Sequence, residues 1–285
     1  MAALRLSRPV SDAYGLFGYP VAHSWSPFIH GMFAQQTRQD VTYRLFESPP
    51  DRFRSEVLEF FSAGGHGVNV TLPHKQAAAE LVNELTPRAD LAGAVNTITH
   101  DGRHLVGDNT DGIGLITDLR NNLGLRWAEP RFLLLGAGGA ARGVLGPLLE
   151  LHPRVLIIAN RTAERAMQLT REFAPLGPVS GCTFAELKDQ HFDLIINATS
   201  ASLRGEVPAI PTGVVDPFTT CYDMSYGTTD TPFTAWARRH GARDAVQGWG
   251  MLVEQAAESF GLWRGIRPDT APVLAVLHSR MQTAH

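Results

Sequence analysis

The chain has 285 residues, 44% of them hydrophobic and 19% charged, with a formal net charge of −3. That composition suits a folded chain of roughly two domains and excludes an intrinsically disordered one. The charge balance leaves no basic footprint for nucleic acid, the two cysteines (Cys182 and Cys221) make no disulfide framework, and no stretch approaches the ~20 apolar residues of a membrane span. The opening "MAALRLSRPVSDAYG" lacks the apolar core of a signal peptide, so a cytoplasmic protein is expected.

In chain order, "AYGLFG" (13–18) predicts a strand, "SPFIHGMFAQQ" (26–36) a helix and "VTYRLFE" (41–47) a strand. "DRFRSEVLEFFSAGG" (51–65) predicts a helix with Asp51 as its N-cap and a glycine pair as its stop. "GVNVTL" (67–72) reads as strand and "KQAAAELVNEL" (75–85) as helix, an alternation that favours parallel strands. Asp101-Gly102 between two apolar runs is a hairpin signal, and "DGIGLITDLRNNLG" (111–124) a helix ending at Gly124.

A loop with Pro130 follows, and the pattern restarts with short apolar runs at 131–135, 154–161, 192–200 and 220–227 and helical stretches between and after them. This second unit reads as open and doubly wound. The tail, 250–265 and 269–282, is helical, has no strand to belong to there, and is expected to fold back onto the first unit. The expected fold class is α/β. An N-terminal, mostly parallel-sheet domain (1–110 plus 248–285) and a Rossmann-type domain (111–247) flank an interdomain cleft.

"FLLLGAGGAARGV" places Gly136, Ala137, Gly138, Gly139 and Ala140 between a strand and a helix. A tight turn followed by close approach of backbone to a pyrophosphate demands such a loop. The pattern is weak alone, but strand, loop, helix and second strand occur in the order a dinucleotide site requires. In NAD sites a carboxylate ~20 residues on binds the ribose. Here Asn160, Arg161 and Thr162 end the second strand, with Arg165 one helical turn on. Two guanidiniums suit the 2′-phosphate of NADP, and Thr162 is a candidate helix cap. The blander alternative is a solvated helix start, although arginines there oppose the helix dipole until an anion arrives.

The first domain gathers polar residues at strand ends and loops: Ser24 and Ser26; Asn69, Thr71 and Lys75; Asn96; Asp108, Asn109 and Asp111. Each alone has a plain explanation: a serine can cap a helix, a lysine can sit on a first turn, and aspartates favour turns. His23, His30 and His74 lack metal-ligand spacing and no metal site is expected.

Taken together, "FGYPVAHSWSPFIH", "GVNVTLPHK", "AGAVNT", "GDNTDG", "GAGGAARGV", "NRTAERA", "INATS", "YDMSY" and "GMLVEQA" resemble the shikimate dehydrogenase family over nearly the whole chain. The resemblance implies NADPH-dependent, reversible reduction of 3-dehydroshikimate to shikimate, a step of aromatic amino-acid biosynthesis. It implies Lys75 and Asp111 as the catalytic pair and Ser24 and Ser26 as ligands of the substrate carboxylate. Thr71, Asn96, Tyr226 and Gln255 match further substrate contacts. Gly136 to Ala140 match the pyrophosphate loop, and Asn160, Arg161, Thr162 and Arg165 the NADP-phosphate clamp. Thr199, Met224 and Gly248 fall where the family borders the cofactor. The sequence departs from the usual pattern at Gln247 and Trp249, at Ala201 to Leu203, and at His74.

Under this resemblance the lysine acquires a reason. The chain holds only two lysines, Lys75 and Lys188, among 25 basic residues. Arginine cannot give up a proton, whereas lysine can move one to or from a substrate oxygen. A neighbouring carboxylate favours the charged amine, so either a dry cleft offsets it or the two groups titrate as a unit. The expected partner is a small-molecule substrate, without nucleic acid or membrane, and the sequence leaves a homodimer open. Two alternatives stand beside this reading, an NAD-preferring quinate/shikimate dehydrogenase and a non-catalytic ligand sensor on the same fold.

Overall fold

The computed structural model describes residues 12–282, which carry two six-stranded sheets. The amino-terminal stretch read above (1–11) and the last three residues of the 248–285 range lie outside the described residues. The first sheet contains β1 (Asp12–Gly18), β2 (Val41–Glu47), β3 (Gly67–Val70), β4 (Glu84–Leu85), β5 (Thr97–His100) and β6 (Leu105–Asp108), in the order β2-β1-β3-β5-β6-β4. β1 pairs in parallel with β2 and β3, and β4 with β6. Only β5 runs backwards, antiparallel to β3 and β6, because the Asp101-Gly102 turn folds it against β6. Asp101 Oδ1 holds that turn by accepting from the Arg103 and His104 backbone N–H groups at 2.8 and 2.7 Å.

Helices α1 (Ser26–Thr37), α2 (Phe53–Ser62), α3 (Lys75–Leu81) and α4 (Pro87–Ala92) lie in the connections of this sheet. α2 buries Phe53, Val57 and Phe61, the stripe its helical spacing predicts. They meet Phe17 of β1, whose ring also stacks on Phe46 with 4.6 Å between centroids. Asp51 does not cap α2. Pro49 O accepts from both Arg52 N and Phe53 N, so the turn winds up one residue later and Arg52 takes the cap position without a side-chain bond. α3 ends at Leu81, not 85. Asn83 exchanges bonds with Leu105 and draws the chain into β4. β3 likewise stops at Val70. α4 was not expected from the sequence, although Thr86 caps it through Ala89 N and Pro87 fills its first turn.

The second sheet contains β7 (Arg131–Leu135), β8 (Val155–Ala159), β9 (Val179–Cys182), β10 (Leu194–Asn197), β11 (Thr220–Asp223) and β12 (Asp244–Gln247). All pairs are parallel, in the order β12-β11-β10-β7-β8-β9, the doubly wound Rossmann arrangement. Its central strands are continuous apolar runs because helices cover both faces. Phe132, Leu134, Leu156, Ile158, Leu194 and Ile196 face one core. Leu133, Leu135, Ile157, Ile195 and Cys221 face the other. The helices α6 (Gly139–Leu149), α7 (Ala163–Phe173) and α8 (Pro232–Arg239) supply the cover.

Between the sheets run α5 (Asp111–Thr117), which continues into a π-helical turn over Asp118–Asn122, and α9 (Trp249–Arg264), followed by α10 (Ala271–Gln282). The single helix expected over 111–124 is therefore two kinds of helix, halted ahead of Gly124. α9 and α10 pack on α1 through Ile29, Phe33, Val253, Phe260 and Leu277. α5 and α9 lie nearly backbone to backbone: a Cβ on Gly114 would sit 2.9 Å from Gln255 N.

Candidate active site

Lys75 and Asp111 owe their meeting to the one reversed strand. β3 and β6 end at the edge of the sheet where β5 begins, with Asn69 opposite Thr97 and Thr97 opposite Asp108. After β3 the chain turns through Thr71 to His74 and starts α3 with Lys75. After β6 it turns through Asn109 and Thr110 and starts α5 with Asp111. Asn96 stands just before β5, between them.

Lys75 Nζ donates to Asp111 Oδ2, with the two side chains 15% and 6% exposed. Asp111 Oδ1 accepts from Asn96 Nδ2 at 2.9 Å, and its backbone N–H donates to Asn109 Oδ1 at 3.1 Å. Asn96 also donates to Thr110 Oγ1 (2.9 Å) and Gln255 Oε1 (3.3 Å) and accepts from Thr110 N (2.8 Å). The carboxylate is thus fixed on one oxygen and turned to the amine with the other.

The pair faces a cavity of about 220 Å³ between the two sheets. Ser24, Ser26, Thr71, Asn96, Tyr226 and Gln255 all line it. Ser24 Oγ donates to Ser26 Oγ (3.1 Å), so the two hydroxyls form one patch. Neither is the N-cap residue of α1. Trp25 occupies that position and makes no side-chain capping bond, while Ser24 Oγ accepts from the first helical N–H, that of Ser26, at 3.2 Å. Tyr226 is held against Trp249, ring centroids 4.6 Å apart, and burial pushes its pKa up, so the phenol stays a donor. No arginine lines the cavity among the described residues.

From the other sheet Ala140, Thr199, Met224 and Gly248 reach the same cavity. Gly136 has φ +106, a left-handed conformation that glycine adopts without strain, and its N–H donates to Ala159 O at 2.8 Å. Gly138 is the N-cap of α6 and brings no side chain between its N-terminal N–H groups and a ligand. Gly139 lies against Lys75: a Cβ there would be 3.2 Å from Lys75 Cβ. Asn160, Arg161, Thr162 and Arg165 do not line the cavity; they sit beyond the end of β8 and at the start of α7. Asn160 Nδ2 donates to Thr162 O (2.9 Å), which fixes the turn. Thr162 takes the N-cap position of α7 but makes no capping side-chain bond, contrary to expectation. Arg161 and Arg165 are exposed and make no ion pair among the described residues.

The departures in sequence leave this geometry intact. Gln247 accepts from Gly227 N (2.7 Å) and donates to Thr229 O (3.0 Å), holding the loop after β11 that carries Tyr226. Ser202 donates to Asp223 Oδ2 (2.6 Å). His74 stacks on Phe53 at 4.3 Å, filling an aromatic's place. Two residues gained no role from the sequence. Asn69 lies under the cavity, accepts from Tyr43 OH (2.8 Å) and donates to Asn96 O (3.2 Å). His23 lines the cavity's mouth. Asn69 carried a readable signal as the one polar residue inside a buried apolar strand.

The chain matches the family profile described as shikimate dehydrogenase substrate binding domain over residues 16–98. It matches shikimate/quinate 5-dehydrogenase over 119–204 and the shikimate 5′-dehydrogenase C-terminal domain over 248–278. It is 55% identical to the shikimate dehydrogenase (NADP(+)) of Aeromonas hydrophila, over 95% of this chain and 99% of that one. Among solved structures it is similar to an Ael1 enzyme from Pseudomonas putida (44% identity, TM-score 0.85, 94% and 98% covered). It is also similar to the shikimate 5-dehydrogenase of Thermus thermophilus in complex with NADP(H) and shikimate (29% identity, TM-score 0.82, 96% and 100% covered). High identity across the full length, three successive family matches and the paired sheets agree, and the chain belongs to the shikimate dehydrogenase family.

Proposed function

We propose that this protein catalyses the reversible, NADPH-dependent reduction of 3-dehydroshikimate to shikimate, with Lys75 and Asp111 as its proton-transfer pair. The observation that carries the reading is the buried Lys75–Asp111 contact on the wall of a cavity that the glycine loop also borders. The residues present fit the dinucleotide. A left-handed glycine turns the chain at Gly136, α6 offers bare N–H groups, and two exposed guanidiniums stand beyond β8. Gly136 to Ala140 would hold the pyrophosphate, Arg161 and Arg165 with Asn160 and Thr162 the 2′-phosphate, and Thr199, Met224 and Gly248 the nicotinamide end. When bound, NADPH supplies the hydride that reaches the carbonyl carbon.

The chain's own residues do the rest. Lys75, as ammonium, donates a proton to the carbonyl oxygen as that oxygen becomes a hydroxyl; in the reverse direction the amine takes it back. Asp111 accepts from Nζ and so holds the amine at the cavity wall. Asn96 keeps the carboxylate of Asp111 from rotating away, and Asn109 fixes the backbone that carries it. Ser24 and Ser26 hold the substrate carboxylate by hydrogen bonds, and Thr71, Tyr226 and Gln255 orient its ring hydroxyls. On this reading residues 1–110 with 248–285 form the substrate domain and 111–247 the cofactor domain. The two cysteines are free thiols, which suits a reducing cytoplasm. Absorbance at the NADPH band, followed with shikimate or quinate and with NADP⁺ or NAD⁺, tests the proposal. Fast turnover is expected with shikimate and NADP⁺, and faster turnover with quinate and NAD⁺ overturns it.

A further inference from the structure

An ion-pair cluster adjoins the active site without entering the cavity. Asp108, at the end of β6, accepts from Arg88 Nε (2.6 Å) and Nη2 (2.8 Å), from Thr86 Oγ1 (2.7 Å) and from Asn109 N (2.7 Å). Its own carbonyl accepts from Asn96 N at 3.0 Å. Asp108 therefore fixes both the turn that delivers Asp111 and the residue that steadies it. The same guanidinium reaches Glu258 Oε1 on α9 through Nη1 and Nη2, both at 3.1 Å. Glu258 stands three residues after Gln255, on the same side of the helix. Its second oxygen accepts from Arg267 Nη1 (2.9 Å), whose Nη2 bonds Glu254 Oε2 (2.8 Å). The side chains of Asp108 and Glu258 are 7% and 21% exposed, so this fork is no loose surface pair. A lysine could not reproduce it in full, because an ammonium lacks the rigid fork that grips both oxygens of Asp108 while further N–H groups reach Glu258.

We propose that Arg88 is a positioning residue for the reaction, a brace that sets the distance between the Asp111 turn and the Gln255 helix. Its arm to Asp108 governs turnover, and its arm to Glu258 governs substrate binding. The inference rests on the function proposed above.

Steady-state kinetics of the full chain, with shikimate and NADP⁺ varied in turn, test it on Arg88→Met, Arg88→Lys and Glu258→Gln. Arg88→Met is expected to lower kcat by about 10²-fold, the cost of a misplacement on the order of 1 Å, and to raise the KM for shikimate while leaving that for NADP⁺ unchanged. Glu258→Gln keeps the Asp108 fork and should raise the shikimate KM about fivefold, the worth of one ordinary hydrogen bond, with kcat preserved. Arg88→Lys should restore kcat more than KM. A merely structural role would cut the amount of active enzyme and leave both KM values alone, so an unchanged shikimate KM in Arg88→Met overturns the proposal. Should that variant fail to fold, an unchanged shikimate KM in Glu258→Gln overturns it equally. Wild-type enzyme that does not turn over shikimate would refute the function; active wild type with unaltered variants refutes the brace alone.

Discussion

The two sheets solve different problems with different materials. The cofactor-side sheet is all parallel, and its central strands Phe132–Leu135 and Leu194–Ile196 are fully buried apolar runs. What it offers a ligand is backbone N–H after β7 and, beyond β8, the exposed side chains of Arg161 and Arg165. The substrate-side sheet is mixed, and at one edge it buries Asn69, Asn96, Thr97, Asp108, Asn109, Thr110 and Asp111. A buried polar network is stable only when its members satisfy one another, and this one does so across β3, β5, β6 and α9. On the proposed function, a robust scaffold holds the general ligand, and a costly, closely tuned cluster at the strand ends performs the specific chemistry.

Substitutions on the two sides should therefore fail in different ways. The largest effect is expected at Lys75. Lys75→Ala should lower kcat by about 10²–10⁴-fold with a smaller change in KM, and Lys75→Arg should fare little better. Near-normal turnover in the alanine variant would remove Lys75 from the chemistry. Next, Leu134→Ala on the cofactor side should cost about 2–5 kcal/mol in urea unfolding, with kcat per folded molecule unchanged. A loss of kcat there would mean that the scaffold is not neutral to chemistry. Third, Arg161→Ser should weaken NADP⁺ binding by about 10-fold or more, the loss of a charge-assisted bond, and leave NAD⁺ binding as it was. Equal losses for both nucleotides would assign Arg161 elsewhere. The smallest effect at neutral pH concerns His30, buried on the substrate side and stacked on Tyr43 at 4.2 Å. Burial pushes its pKa from 6.5 down to about 3. Its contribution is then fully present above pH 6.5 and is lost as pH falls toward about 3, at no more than ~1.4 kcal/mol per pH unit. His30→Phe should flatten that stretch of the stability curve; parallel curves for the two proteins would show that His30 does not titrate on unfolding.

Legibility in the sequence followed the source of each element's stability. β7 and β8 announce themselves, because five-residue apolar runs need a covered sheet. β4, β9 and β12, with sequences EL, VSGC and DAVQ, become strands only by pairing with a neighbour, and nothing local foretells that. Asp51 and Thr162 have the chemistry of helix caps, but the turn at Pro49 starts α2 one residue later, and Thr162, although it stands at the N-cap of α7, makes no side-chain capping bond. The glycine loop and the arginines after β8 were readable because their physics is local. Lys75 and Asp111 are 36 residues apart and met in the reading only through the family resemblance. The readable hairpin at Asp101-Gly102 is nevertheless what reverses β5 and lets their strands end side by side. Arg88 gave no signal, since its two carboxylates lie 20 and 170 residues away.

At Gly139 the absence of a single methyl group is what lets the glycine turn lean on the stem of Lys75. Two positions so close share their neighbours, and their mutational effects will not multiply as those of distant sites do. On the proposed function, nucleotide affinity and proton transfer are thereby wired together at one point of touch, so that altering either partner disturbs both.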